Sequence, residues 1–196
     1  MSIHLYIDAQ LSQQISEGDL TNPDSDTFDG SNGDNKDRQL FVANEQTTLA
    51  EVLDAVQSAM VLAVPRFSDG EVIMIDSEEM RVVSGGGTTT LMVQRALYGT
   101  QPAAHAQDAI VYSACNYSSL LLEPVDTSGT DESSWCKLAL TQAGLDAAVP
   151  GGGIFLSDKS FNETISFWRR ISVPAGISAQ KKTDIKLRLT GTMSLA

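Results

Sequence analysis

Long apolar runs are missing from this chain, and so is any excess of basic charge. No stretch approaches the roughly 20 consecutive apolar residues that a membrane helix needs. The opening MSIHLYIDAQ has neither the basic region nor the apolar core of a signal peptide. The expectation is a protein made in the cytoplasm that does not engage a membrane. Lys and Arg total 13 against 25 Asp and Glu, a formal net charge of -12. The clustered cations that neutralise nucleic-acid phosphates are therefore lacking, and a nucleic-acid partner is not expected. Two cysteines, Cys115 and Cys136, make neither a disulfide framework nor a zinc site.

Catalytic and cofactor signatures are also absent. The Gly triplets at 85–87 and 151–153 are not followed by Gly-Lys-Ser/Thr, so neither is a phosphate loop, and both read as turns. No G-x-S-x-G elbow occurs. His105, one of two histidines, has no adjacent Cys, Asp or His, and reads as the anchor of a loop. Glu78 and Glu79 are neighbours on a hairpin, so their side chains point to opposite faces and make a poor acid–base pair. The expectation is a non-enzyme without a cofactor.

What the chain does contain is β pattern. An apolar fraction of 42% with 19% charged residues is globular. Ile3, Leu5 and Ile7 alternate with polar residues. RQLFVANE (38–45), SSLLLEPV (118–125), IFLS (154–157), TISFWRRISVP (164–174) and DIKLRLTGTM (184–193) all read as strands. In the fourth of these, Ile165, Phe167, Arg169, Ile171 and Val173 share a face; in the fifth, Ile185, Leu187 and Leu189 do. Between residues 67 and 112 short strands follow one another through Gly-rich turns: EVIMID, EMRVV, TTLMVQR and AIVY. One short helix is expected at 48–57, with Thr48 as N-cap and Glu51 completing a capping box. A small-residue stretch ending at Ala148 has some helical character.

These elements predict an all-β chain: an Ig-like β-sandwich split in sequence (1–46 plus 117–196), with a small antiparallel β-meander or barrel (47–116) inserted into it. Two consecutive domains divided near residue 116 are the competing layout.

Charge is uneven. Residues 17–37 hold seven carboxylates and one Lys, whereas residues 168–188 hold Arg169, Arg170, Lys181, Lys182, Lys186 and Arg188 with one Asp. Such segments suit contacts between copies, with Asp24, Asp26, Asp29 and Asp34 on one side and Arg169, Arg170, Lys181 and Lys182 on the other. The acidic run fails the EF-hand pattern, because Lys36 stands where the bidentate Glu belongs. An irregular calcium site on the same four aspartates is the remaining metal option, and a solvated loop is the default. Trp135, Trp168 and Tyr98 are the candidates for a sugar-binding face.

The middle segment carries a resemblance. FSDGEVIMIDSEEMRVV followed by TTTLMVQRALYGTQPAAHAQDAIVY resembles a β-module recurring in structural proteins of tailed bacteriophages. The matching residues are Gly70, Ile75, Asp76, Glu78 or Glu79, Met80, Leu91, Val93, Arg95, Gly99, Thr100, His105 and Ala106. One departure is clear: the usual Gly after the Arg is replaced by Ala96-Leu97-Tyr98. The closing strands are similar to those of phage and bacterial Ig-like domains. The resemblance implies a virion component of the tail, baseplate or neck, partnered by other virion proteins and by copies of itself. A head decoration protein and a carbohydrate-binding module facing the host surface are the alternatives.

Overall fold

The computed structural model describes residues 2–196. It is all-β, with thirteen strands: β1 (Ile3–Tyr6), β2 (Asp34–Asn44), β3 (Gln46–Thr48), β4 (Ala59–Val61), β5 (Val72–Ile75), β6 (Glu78–Ser84), β7 (Thr90–Gln94), β8 (Ile110–Ser113), β9 (Cys115–Asp126), β10 (Cys136–Ala139), β11 (Ile154–Phe155), β12 (Thr164–Val173) and β13 (Ile185–Leu195). The described helical elements are three single 3-10 turns.

The strands form three antiparallel sheets. β1-β2-β12-β10 make one and β11-β9-β13 a second. These two share a core in which Leu40, Val42, Leu138 and Phe167 of the first meet Tyr117, Leu120 and Leu122 of the second. The third sheet, β3-β8-β5-β6-β7-β4, comes wholly from the middle of the chain. Its outer strands meet: Leu49 pairs with Leu62, Ala50 N–H donates to the Val61 carbonyl (2.8 Å), and Ala63 N–H to that of Thr48 (2.9 Å). The sheet therefore curls into a small barrel. Closure removes the unpaired edges that an open sheet presents. Its interior is a separate core of Leu49, Leu53, Phe67, Ile73, Ile75, Met80, Leu91 and Val111, all at most 1% exposed.

The expected helix at 48–57 does not form. Leu49 and Leu53 instead belong to the barrel core, each at most 1% exposed. Thr48 lies in β3, and Leu53 exchanges backbone hydrogen bonds with His105 (3.0 and 2.8 Å). Asp54 Oδ1 instead accepts from the amides of Val56 and Gln57, a side-chain-stabilised turn. Barrel closure has overridden a local preference worth only tenths of a kcal/mol per residue. Likewise the stretch before Ala148 is strand β10 and one 3-10 turn at Ala143–Leu145. Both Gly triplets lie in turns. At Gly86 a Cβ would fall 2.4 Å from the Asp69 amide nitrogen.

Asn44 joins the two cores. Its Nδ2 donates to the carbonyls of Ser113 (2.9 Å) and Cys115 (2.7 Å), and its Oδ1 accepts from Lys159 Nζ (2.6 Å). One side chain thus ties the strand that enters the barrel to the strand that leaves it.

Candidate functional site

The β5–β6 hairpin turns at Asp76-Ser77, with Asp76 in a left-handed conformation (φ 52°) that a short polar side chain tolerates. That turn sets Asp76 and Glu78 facing the 96–109 loop. His105 lies between them, Nδ1 at 2.7 Å from Asp76 Oδ2 and Nε2 at 3.0 Å from Glu78 Oε2. Arg95 grips Glu78 with two bonds of 2.6 Å, from Nε and Nη2. The amides of Ala96 and Ala103 complete the carboxylate's shell. Arg95 also donates to the carbonyls of Asp54, Gln57 and Ala103.

Glu78 and His105 are each 1% exposed at the side chain. Burial alone would raise the Glu78 pKa. Arg95, the Ala103 amide and His105 outweigh it and bring the pKa down to about 2.

This cluster brings together Asp76, Glu78, Arg95 and His105, four of the residues singled out in the middle segment of the sequence. Thr100 adds a bond from the Glu79 amide to its Oγ1 (3.3 Å). Chemically the cluster is saturated. Both imidazole nitrogens face carboxylate oxygens, and the hydrogen bonds of His105 include none to a hydroxyl or thiol. Neither ring nitrogen faces a hydroxyl or thiol, so the nucleophile–base pair of covalent catalysis is not formed here. What the arrangement does is fasten two loops, 50–57 and 96–109, onto one hairpin. Glu79 is the poor partner to Glu78 that its position predicts; it too is buried, with Oε2 making no hydrogen bond.

The acidic and basic segments are brought together within the chain. Arg169, on the inward face of β12, is 3% exposed; it binds Asp24 through Nε (2.7 Å) and Nη2 (2.8 Å), and Asp26 through Nη2 (2.6 Å). Arg38 pairs with the same two aspartates from the neighbouring strand. Burial works against the Arg169 charge, but the two carboxylates more than compensate and its pKa is raised.

Arg170, on the opposite face, pairs with Asp37 and Asp146, which raise its pKa. Lys182 pairs with Glu132 (2.5 Å) and Asp184 (3.3 Å). Asp29 caps its own turn through Ser31 and Asn32, and Asp34 accepts from the Asp29 amide. Lys181 is exposed. No cluster of three or more potential metal ligands occurs among the described residues. The acidic stretch is a strap, held down by arginines.

Beneath the strap lies a cleft of about 1240 Å3. Its walls include Leu5, Ile15, Phe28, Ile171, Ile185 and Leu187, with Asp24, Asp26 and Arg169 also lining it. Trp135 lines the cleft, whereas Trp168 lies on the outward face of β12, so the two tryptophans form no common platform. Tyr98 is exposed, its hydroxyl accepting from Arg81 (3.2 Å).

Lys159 gave no sequence signal, being a lone Lys in a turn. It is buried, with Asn44 and the Ser160 carbonyl as acceptors, and burial pushes its pKa down to about 8. His4, the other histidine, lies 2.6 Å from Glu17 of the strap.

No family model, curated protein or solved structure matches this chain.

Proposed function

We propose that this protein is a non-enzymatic structural component of a tailed-phage virion, in the tail, baseplate or neck, and that it works by docking in a symmetric assembly. The observation carrying this reading is the convergence of Arg95 and His105 on the buried Glu78, with the exposed Asp76 holding the other imidazole nitrogen. The motif that resembles the phage module is then a device for holding loops, a role suited to an assembly part. An Ig-like identity for the two-sheet portion belongs to the same reading.

Assembly parts gain affinity by repetition, so modest contacts at each copy suffice. Mass spectrometry of purified phage particles from the source of this gene is the test. The chain should be present at fixed stoichiometry relative to the other virion proteins. Absence from intact particles overturns the reading. Loss of glycan-array binding on Trp135→Ala or Trp168→Ala would favour the carbohydrate-binding alternative instead.

A further inference from the structure

The outer strands of the barrel meet at the Leu49–Leu62 bridge, whereas the second sheet of the sandwich has an open edge. β13 runs for 11 residues and pairs with β9 on one side only. Among the described residues no backbone hydrogen bond reaches its far side. Its two faces differ sharply. Ile185, Leu187, Leu189, Met193 and Leu195 lie on one, with Gly191 between them, and Lys186, Arg188, Thr190, Thr192 and Ser194 on the other.

None of those apolar side chains is buried; Met193 is 55% exposed and Leu195 47%. Ile185, Leu187 and Leu189 line the cleft together with Leu5, Ile15 and Ile171, so the apolar face of β13 is turned toward it. A long, half-covered apolar edge strand is a template for one more strand.

The sequence of β13 specifies what that strand is. Laid antiparallel against a second β13 about a two-fold axis at Thr190, Ile185 falls opposite Leu195 and Leu187 opposite Met193. Lys186 falls opposite Ser194 and Arg188 opposite Thr192. Every apolar residue then meets an apolar residue or Gly191, and no cation meets a cation. Opposed side chains of this kind are the stabilising unit of a sheet, and like charges directly opposite destabilise it. Such an interface is isologous: the same patch serves both copies and closes after two.

We propose that β13 is a homodimerisation edge, pairing antiparallel with β13 of a second copy in the register centred on Thr190 to give one continuous six-stranded sheet. This deepens the assembly reading by naming a self-contact, yet it does not depend on a place in a virion. Particle composition tests that reading, and solution behaviour tests this one.

The experiment is sedimentation of the purified full chain across concentration, paired with cysteine cross-linking. The wild type should sediment as a dimer. Thr190→Cys should form an intermolecular disulfide on mild oxidation, because the residue faces its own copy. Cys115 and Cys136 are buried and will not compete. Lys186→Cys and Ser194→Cys should each remain uncross-linked alone but join when mixed. Met193→Lys should raise the dimer dissociation constant by at least about tenfold. The exposure of Met193 leaves the fold intact, which an unchanged unfolding transition would verify. A monomer at all concentrations overturns the proposal. So does a dimer whose Thr190→Cys form fails to cross-link, since its interface then lies elsewhere.

Discussion

The barrel and the sandwich solve the same problem differently. The barrel closes on itself, and its twelve core residues are at most 4% exposed. Its charged network centres on the buried Glu78 and His105, against the hairpin that it orders. The sandwich leaves a flank open: Leu5, Ile15, Ile171, Ile185, Leu187 and Leu189 are only partly buried, and its ion pairs hold a strap over a cleft. Closure gives rigidity without partners. An open flank leaves apolar area and a strand edge for something else to cover.

The contrast can be broken most severely at Glu78. Glu78→Ala strands Arg95 and His105 without their shared carboxylate and frees the Ala96 and Ala103 amides. The cost should be about 3–5 kcal/mol, read as a lower urea midpoint. An unchanged midpoint would mean that the network does not hold the barrel. Acid should act the same way in the intact protein. The Glu78 pKa lies at about 2, below its ordinary value of 4.5. Its contribution is therefore complete above about pH 4.5 and lost as pH falls toward 2, on the order of 3 kcal/mol in all. Acid titration of the Glu78→Gln form should lack that component.

At the junction, Asn44→Ala removes the acceptor of a buried ammonium and the donor to two carbonyls. A loss of about 2–3 kcal/mol is expected, with faster hydrogen exchange around residues 113–117. Exchange confined to the strap would contradict it.

A smaller effect of opposite sign is expected in the 96–99 loop. Ala96 has φ 57°, in the left-handed region that favours glycine. Ala96→Gly should stabilise the barrel by about 0.5–1 kcal/mol, since a left-handed Ala is strained and Gly is not. A destabilised Ala96→Gly would show that the loop is not under strain.

The smallest effect falls on the open side. Burial lowers the pKa of His4, but Glu45 and Glu17 outweigh it and the net shift is upward. Its link to the strap is therefore intact below pH 6.5 and weakens as pH rises through the raised value. Limited proteolysis should cut the strap faster at pH 8 than at pH 6, and His4→Gln should abolish the difference.

Most of the strands could be read from alternation, because one-sided burial imposes a period of two. β12 is the instructive case. Its alternation put Arg169 on the apolar face with Phe167, and that is where the structure has it. Reading the same arginine as part of a basic contact surface overlooked this placement. Asp24 and Arg169 are 145 residues apart, and no local rule pairs them. The helix expected at 48–57 had a genuine capping box, yet its two leucines were needed inside the barrel. Glu78, Arg95 and His105 drew notice through resemblance. Their meeting depends on a left-handed Asp76 and on loop closure, which spacing alone does not supply.

The Asn44 clasp bears on how such a chain could arise. The barrel leaves the sandwich beside the point where it enters, with Ser113 N–H donating to the Glu45 carbonyl at 2.9 Å and Asn44 spanning to Cys115. Ends that meet in this way make the barrel a cassette. Joining Asn44 to Cys115 through a linker of a few residues, with the barrel left out, is therefore expected to leave β2 and β9 on their present course.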